Sequence, residues 1–375
     1  MRRLVPLAGP SEVGRGPGAA QPSKERIGVK AARLRAALRA RLPVLPGWVV
    51  PVGAGEGAMC AGVAAIRANG VAAGRTAVLS AALDAGLVAE LRSVVDVLGG
   101  RVIVRSSSPL EGDPRWAGAF SSVTGVGWED VASAARSCWG SAFAVDPLRR
   151  LEECGLGLEA LALGVLVQPE IAPEAGGVAR AEAGSVTVEG IRGHPGSLLS
   201  GWAEAEPLDP EVVADVAELA GRVHAELGDD VIEWAACDGK VWLLQSLRSD
   251  RQGAEPARPM PASGLRVAGR PAARGTAAGP LVACRPHVTR AKDCRDAIML
   301  VDRPVPALAP LLFGARGVIA RAGAASSHLA EVARSLGIPM VVGCRPETVT
   351  GPRPAPGAWF ATINGGTGEV VLAPA

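Results

Sequence analysis

His328 stands in the run SSHLAEVARSLGIP, residues 326–339, where Leu329, Val332, Ala333 and Leu336 recur at helical spacing. Ser326 or Ser327 is placed to cap the start of that helix, Gly337 takes the position after its last turn, and Pro339 follows the stop. His328 therefore falls in the first turn. The positive end of the helix dipole disfavours an imidazolium there, and the free backbone N–H groups of a first turn favour a phosphate anion. A neutral imidazole nitrogen beside an anion site is what a phosphoryl-accepting nucleophile needs. The plainer reading of the same placement is a histidine that only helps to cap its helix.

Cations that suit phosphate stand elsewhere in the chain. Only four of the 39 basic residues are lysine, namely Lys24, Lys30, Lys240 and Lys292. Arg105 ends the apolar run RVIVRS, residues 101–106, where a guanidinium fork suits phosphate oxygens, and Gly118 in Ala117-Gly118-Ala119 permits close backbone approach. An ion pair at a sheet edge is the plainer account of Arg105. Residues 231–246, VIEWAACDGKVWLLQS, read as two strands around Asp238-Gly239. A three-residue loop, Cys237-Asp238-Gly239, would set 231 opposite 245 and 233 opposite 243, with Glu233 and Gln245 on one sheet face. A two-residue Asp238-Gly239 loop would separate them. A carboxylate is the ligand that Mg²⁺ prefers, with phosphates and waters filling its remaining positions.

The elements that must position these groups are bounded by length and composition. A chain of 375 residues, 48% apolar and 20% charged, has material for two or three buried cores and no disorder signature. A net charge of +2, with eight Trp, four Phe and no Tyr, offers neither the excess basicity nor the stacking surface of a nucleic-acid binder. No apolar run reaches the roughly 18 residues of a membrane span, and the opening MRRLVPLAGPSE is too short an apolar run for a signal peptide, so no membrane partner and a cytoplasmic location are expected. Seven scattered cysteines without a CxxC pair argue against a disulfide framework and a zinc site, and are expected to be small buried hydrophobes.

Three segments follow. Residues 247–265, LRSDRQGAEPARPMPASGL, carry Pro and Gly breakers without apolar periodicity and read as a linker. Fully extended, such a segment reaches about 60 Å. Residues 1–246 mix helical patterns with short strands. Residues 266–375 alternate strands (IMLV, GVIA, MVVG) with helical stretches, as in a small α/β domain. The expected fold class is α/β (α+β) throughout.

GVIARAGAASSHLAEVARSLGIPMVVG, residues 317–343, resembles the phosphohistidine swivelling domain of pyruvate phosphate dikinase, phosphoenolpyruvate synthase and rifampicin phosphotransferase. GRPAARGTAAGPLVA (269–283) and INGGTGEVVL (363–372) resemble the opening and closing strands of that domain, so the likeness covers about 110 residues. It implies that His328 is the phosphorylated histidine, with Gly323, Ser326 and Ser327 around it. Ala324 departs from the family, which has a second glycine there. The N-terminal block resembles the ATP-grasp-like nucleotide domain of the same enzymes. IGVKAARL (27–34) and LPVLPGWVVP (42–51) imply that Lys30 contacts ATP phosphates; RVIVRSSSPLEGDPRWAGAF (101–120) implies the same of Arg105, with a mobile loop carrying Gly118. GVLVQPEIAPEAGGVA (164–179) implies that Gln168 lies near the adenine, and the twelve-residue spacing of Glu233 and Gln245 matches the family's Mg²⁺ ligand and its partner.

There are further departures. Val231 replaces an acidic residue, Leu247 replaces an arginine although Arg248 is adjacent, and GIRGHPGSLLSG (190–201), with His194, is a shortened counterpart of a glycine-rich stretch. The resemblance implies a dikinase-type phosphotransferase that uses ATP and Mg²⁺, releases AMP and passes a phosphoryl group from His328 to a small molecule or a separate acceptor protein. Nothing in the 375 residues resembles the pyruvate-binding barrel of the larger relatives. Two other classes fit parts of the pattern: a carrier module with a degenerate ATP site, favoured by Val231 and Leu247, and an ATP-grasp ligase, which would release ADP and not need His328.

Overall fold

The fold is seen in a computed structural model that describes residues 3–8, 23–182, 184–248, 259–345 and 358–375. It is a mixed α/β chain that divides into two compact units.

The first unit comprises the described residues up to Glu174, with 179–187 and 210–248. Its antiparallel sheet takes β1 (Val5–Pro6), β2 (Trp48–Val50), β3 (Val102–Ser107), β4 (Ser122–Val126) and β5 (Gly164–Pro169) in the order β1-β2-β5-β3-β4. Val102 and Val104 of β3 alternate into the core, as a strand's period of two requires, and Arg105 falls on the other face. The core gathers Val102, Val104, Val165 and Val167 with Leu87 and Leu91 of the helix Ala85–Val97 and with Trp139 of the helix Val131–Ser141. Trp139 is fully buried, and its indole N–H donates to the carbonyl of Leu163 at 3.0 Å, which removes the cost of burying it.

A second sheet runs β7-β6-β8-β9, from β6 (Ala175–Glu182), β7 (Ser185–Arg192), β8 (Val231–Cys237) and β9 (Lys240–Leu247). Asp238 and Gly239, at φ 53° and 66°, turn the β8–β9 hairpin.

The second unit groups residues 175–178 and 188–209 with the described residues from 259 onward. By sequence, 175–178 and 188–209 fall within the N-terminal block of residues 1–246. Contacts with the later residues explain the difference: the Ser326 N–H donates to Glu189 Oε2 at 2.9 Å, Ile191 and Leu198 pack on Ala324, and at Gly201 a side chain would run into the carbonyl of Pro304. The unit's sheet has the order β10-β17-β16-β12-β13-β14-β15-β11, from β10 (Leu265–Ala268), β11 (Arg270–Ala273), β12 (Thr276–Ala283), β13 (Ile298–Val301), β14 (Gly317–Ala320), β15 (Met340–Val342), β16 (Trp359–Asn364) and β17 (Glu369–Pro374). β12 to β15 pair in parallel, and β13, β14 and β15 are the three strands expected from IMLV, GVIA and MVVG. Fully or nearly fully buried Ile298, Leu300, Ile319 and Val341 form the centre of this core.

Of the segment read as a linker, residues 249–258 lie outside the described residues; Leu247 ends β9 and Leu265 opens β10. Five cysteines are buried as expected, Cys154 is half-buried, and Cys60 is exposed. No helix among the described residues is long and apolar enough to cross a membrane.

Candidate functional site

The helix Val29–Arg39 starts directly against the end of β3. Gly28, at φ 76°, lies where any side chain would collide with the carbonyl of Ser107, so only glycine lets the two chains approach. The N–H of Ala31 donates to Ser107 Oγ at 3.0 Å and that of Val29 to the Ser108 carbonyl at 3.1 Å. The docked helix carries Lys30 inward, where it is 7% exposed. Its Nζ donates to the Ser106 carbonyl at 2.9 Å and to Glu111 Oε1 at 3.2 Å. Lys30 is thus a buried, paired cation beside the residue that follows Arg105. Glu111 was missed by sequence reasoning, although Ser108-Pro109-Leu110-Glu111 has the spacing of a capping box: Glu111 Oε2 accepts the Ser108 N–H at 2.7 Å.

Arg105 sits on β3, between β5 and β4, opposite Leu166 and Ser122. Its Nη2 lies 3.5 Å from Glu233 Oε2, and both side chains are about nine-tenths buried. The ion pair read as the plainer account of Arg105 therefore exists, and its partner is the other candidate site residue. The hairpin that delivers Glu233 differs from the expectation. Cys237 pairs with Lys240, so the loop is the two-residue Asp238-Gly239 type, and 231 and 233 do not face 245 and 243. A β-bulge corrects the consequence. Trp234 faces Leu243 but Glu233 faces Gln245, which leaves Leu244 as the extra residue and puts Glu233 and Gln245 on one sheet face after all. The carbonyl of Leu244 then accepts Arg105 Nη1 at 2.8 Å. One irregularity brings Arg105, Glu233 and Gln245 together.

The same register makes Val231 and Leu247 cross-strand partners. The two departures from the family pattern are one change: an apolar pair in the place of an acid and an arginine.

Gly118 adopts φ 65°, a conformation that favours glycine. The loop before it is firmly held. Trp116, 1% exposed, stacks on Phe120 with ring centres 5.8 Å apart. Arg150, equally buried, donates to the carbonyls of Arg115 at 2.6 Å and Ala117 at 3.0 Å while Asp146 grips the other side of its guanidinium. The hydrogen bond that Arg115 Nε donates to Asp113 Oδ2 at 2.7 Å raises the guanidinium pKa above its ordinary value. Gln168 is buried in β5, where its side-chain N–H₂ donates to the Leu45 carbonyl at 3.0 Å and ties the strand to the loop before β2.

In the second unit His328 is the first residue of the helix His328–Ser335. Ser327 is its N-cap, with Oγ accepting the Ala330 N–H at 3.4 Å, and Gly337, at φ 68°, follows its end as expected. Gly323 has φ 107°, and a side chain there would strike the ring of Pro304. Ala324, the departure from the family's glycine, is fully buried against Ile191 and Leu198, so its methyl group is accommodated by packing. Ser326 is 4% exposed; its N–H donates to Glu189 Oε2 at 2.9 Å and its Oγ has no partner. His194 accepts the Gly196 N–H at 3.1 Å through Nδ1, a local turn contact.

Residues 24–193 match the family model for the AMP/ATP-binding domain of pyruvate phosphate dikinase, and residues 294–368 match that for the mobile domain of PEP-utilising enzymes. The chain belongs to the pyruvate phosphate dikinase and phosphoenolpyruvate synthase family. It is 26% identical over 295 residues to the probable phosphoenolpyruvate synthase of Methanothermobacter thermautotrophicus, covering 64% of this chain and 43% of that protein. It is 27% identical over 176 residues to the phosphoenolpyruvate synthase of Pyrococcus furiosus, covering 45% of this chain and 21% of the relative. The match therefore spans less than half of either relative. Among solved structures, D-alanyl-alanine synthetase A from Vibrio cholerae is similar over 60% of this chain and 55% of that one, at 12% identity and a TM-score of 0.32, too slight a likeness to bear on the site.

Lys30, Arg105, Gly118 and Gln168 fall within the matched AMP/ATP-binding domain and His328 within the matched mobile domain of the family; Glu233 and Gln245 lie between the two. No group of three or more His, Cys, Asp or Glu side chains among the described residues could hold a metal ion by itself. One carboxylate with a facing carboxamide suits a Mg²⁺ ion that takes most of its ligands from phosphates and water.

Proposed function

We propose that this protein is an ATP-dependent phosphotransferase of the dikinase type, with His328 as the phosphoryl carrier. A neutral His328 nitrogen attacks the β-phosphorus of ATP; the bond to the α-phosphate oxygen breaks and AMP leaves. The diphosphorylated histidine then loses its terminal phosphoryl group to water or phosphate, and the remaining group passes to a small-molecule acceptor or a separate acceptor protein. The observation that carries this reading is His328 at the start of a Ser327-capped helix, in a chain that also holds the buried Arg105–Glu233 ion pair and the buried Lys30–Glu111 pair.

The contacts support a role for each residue. Arg105 presents its guanidinium to phosphate oxygens from a position fixed by Glu233 and the Leu244 carbonyl. Lys30 exchanges Glu111 for phosphate when nucleotide binds, since both compete for one ammonium. Gly118 lets the backbone N–H groups of its loop approach the phosphates, and Gln168 borders the base. Glu233, with Gln245 opposite, would hold Mg²⁺, which supplies charge neutralisation on the phosphates.

The Val231–Leu247 pair favours a second reading, a carrier module whose altered ATP site binds nucleotide without turnover. Incubation with MgATP followed by phosphopeptide mapping separates the two. The dikinase reading expects an acid-labile phosphate on the peptide containing His328; nucleotide binding without phosphopeptide favours the carrier, and ADP release with an unmodified His328 favours a ligase.

A further inference from the structure

The segment 188–209 meets the histidine loop, within the second unit, mostly through polar contacts. Glu189 Oε2 accepts the Ser326 N–H at 2.9 Å. Arg270 Nη2 donates to the Gly323 carbonyl at 2.9 Å and lies 3.6 Å from Glu204, so one guanidinium joins loop and segment. Arg303 donates to the Trp202 carbonyl. Pro304 packs against both Gly323 and Gly201, and at either glycine a side chain would collide with it. The apolar part is small: Ile191 and Leu198 on Ala324, with the methyl groups of half-buried Ala203 and Ala205 beside them. A contact built this way holds a loop in place yet can open, since little apolar surface must be exposed to water.

We propose that Glu189 is a positioning residue for the phosphoryl-accepting loop, holding it through the Ser326 N–H while His328 is unphosphorylated and giving it up when His328 is phosphorylated. The proposal rests on the reading of His328 as phosphoryl carrier. Two residues before His328, at the positive end of its helix, the loop already holds an anion, and that anion is the Glu189 carboxylate. A phosphoryl group on His328 brings further negative charge to the same helix end, where the backbone N–H groups are the natural donors for it. Carboxylate and phosphoryl group then repel one another and compete for these donors. The Ser326 hydroxyl, buried and unpartnered while Glu189 is in place, becomes a donor to the newcomer. The charge change made by the reaction thereby loosens the segment that held the loop, and phosphorylation itself frees His328 for its acceptor.

Two variants separate the hydrogen bond from the charge. Glu189→Gln keeps an acceptor oxygen of the same reach and removes the charge; Glu189→Ala removes both. Amide hydrogen exchange is measured first in unphosphorylated protein. In Glu189→Ala, peptides covering 188–201 and 326–330 exchange about tenfold faster than in the wild type, while Glu189→Gln stays within about twofold. After incubation with MgATP, wild-type peptides 188–201 lose protection and those of Glu189→Gln lose less, because a neutral amide is not repelled. Unchanged exchange in unphosphorylated Glu189→Ala would overturn the positioning role, and so would phosphorylated wild type that keeps full protection over 188–201. A wild type that takes no phosphate on His328 counts against the phosphohistidine reading instead; the exchange of the unphosphorylated variants still decides whether Glu189 holds the loop.

Discussion

Val231 and Leu247 face one another across the hairpin, next to Glu233, where the family pattern has an acid and an arginine. An isolated carboxylate at position 231, which is 4% exposed, would be buried beside Glu233 without a counterion. Val231→Asp alone is therefore expected to destabilise the protein by about 3 kcal/mol. The double variant Val231→Asp/Leu247→Arg recovers at least about 1 kcal/mol of that loss and raises ATP turnover above either single variant, as read by a double-mutant cycle on thermal unfolding and on nucleotide product. Simple additivity would show that the apolar pair does not stand in for an ionic one. At His328 the critical neighbour is Gly323: Gly323→Ala sets a Cβ against Pro304 at φ 107° and costs about 1–3 kcal/mol, seen as a lowered melting temperature and a weakened His328 phosphorylation. Residue types were legible in the sequence because phosphate chemistry calls for few of them. Their partners were not. Glu111 on Lys30, the Leu45 carbonyl on Gln168 and Glu189 on Ser326 come together from 81, 123 and 137 residues away, and a sequence carries no local sign of such pairings.

At the scale of elements, the hairpin shows how a correct expectation can rest on a wrong turn. Asp238-Gly239 gives a two-residue loop, which without a bulge would have turned Glu233 and Gln245 to opposite faces; Leu244 supplies the missing residue. Bulges lack a strong sequence signature, so the register near Glu233 was not readable, whereas the two strands and the place of the turn between them were. Deleting Leu244 leaves Glu233 opposite Gln245 in a regular ladder but removes the carbonyl that holds Arg105. Nucleotide affinity is expected to fall about tenfold with both side chains of the pair intact; unchanged affinity would mean that Arg105 needs no such anchor. The helix Val131–Ser141 offers a pH test of its packing. Burial pushes the Cys138 thiol up to about 12. Because the folded pKa lies above that of the unfolded chain, this group's contribution is complete below about pH 9 and is lost as pH rises toward 12. Stability should decline over that window, and at pH 8.5 iodoacetamide should modify exposed Cys60 and leave Cys138 intact until the protein unfolds. Equal modification of both in the native protein would contradict the buried placement.

At the scale of the whole molecule, the proposed chemistry needs His328 to serve an ATP site and then an acceptor, because the acceptor must approach a phosphohistidine from which AMP has left. The family's two matched domains are legible in the sequence as two blocks with a breaker-rich stretch between them, but the assignment of 188–209 to the second unit was not, since it depends on glycine contacts between segments distant in the chain. With the segment 247–265 as a swivel, shortening it blocks transfer to the acceptor while nucleotide binding, whose proposed residues all precede Leu247, persists; unimpaired transfer would place the acceptor beside the nucleotide. In the proposed reaction the phosphoryl group held by His328 comes from the β-position of ATP. ATP labelled separately at the β- and γ-phosphates tests it directly. The β-label is expected to remain on the wild-type protein, absent from His328→Asn, with AMP as the nucleotide product and the γ-label released; a retained γ-label with ADP as product, or β-label persisting in His328→Asn, would contradict it.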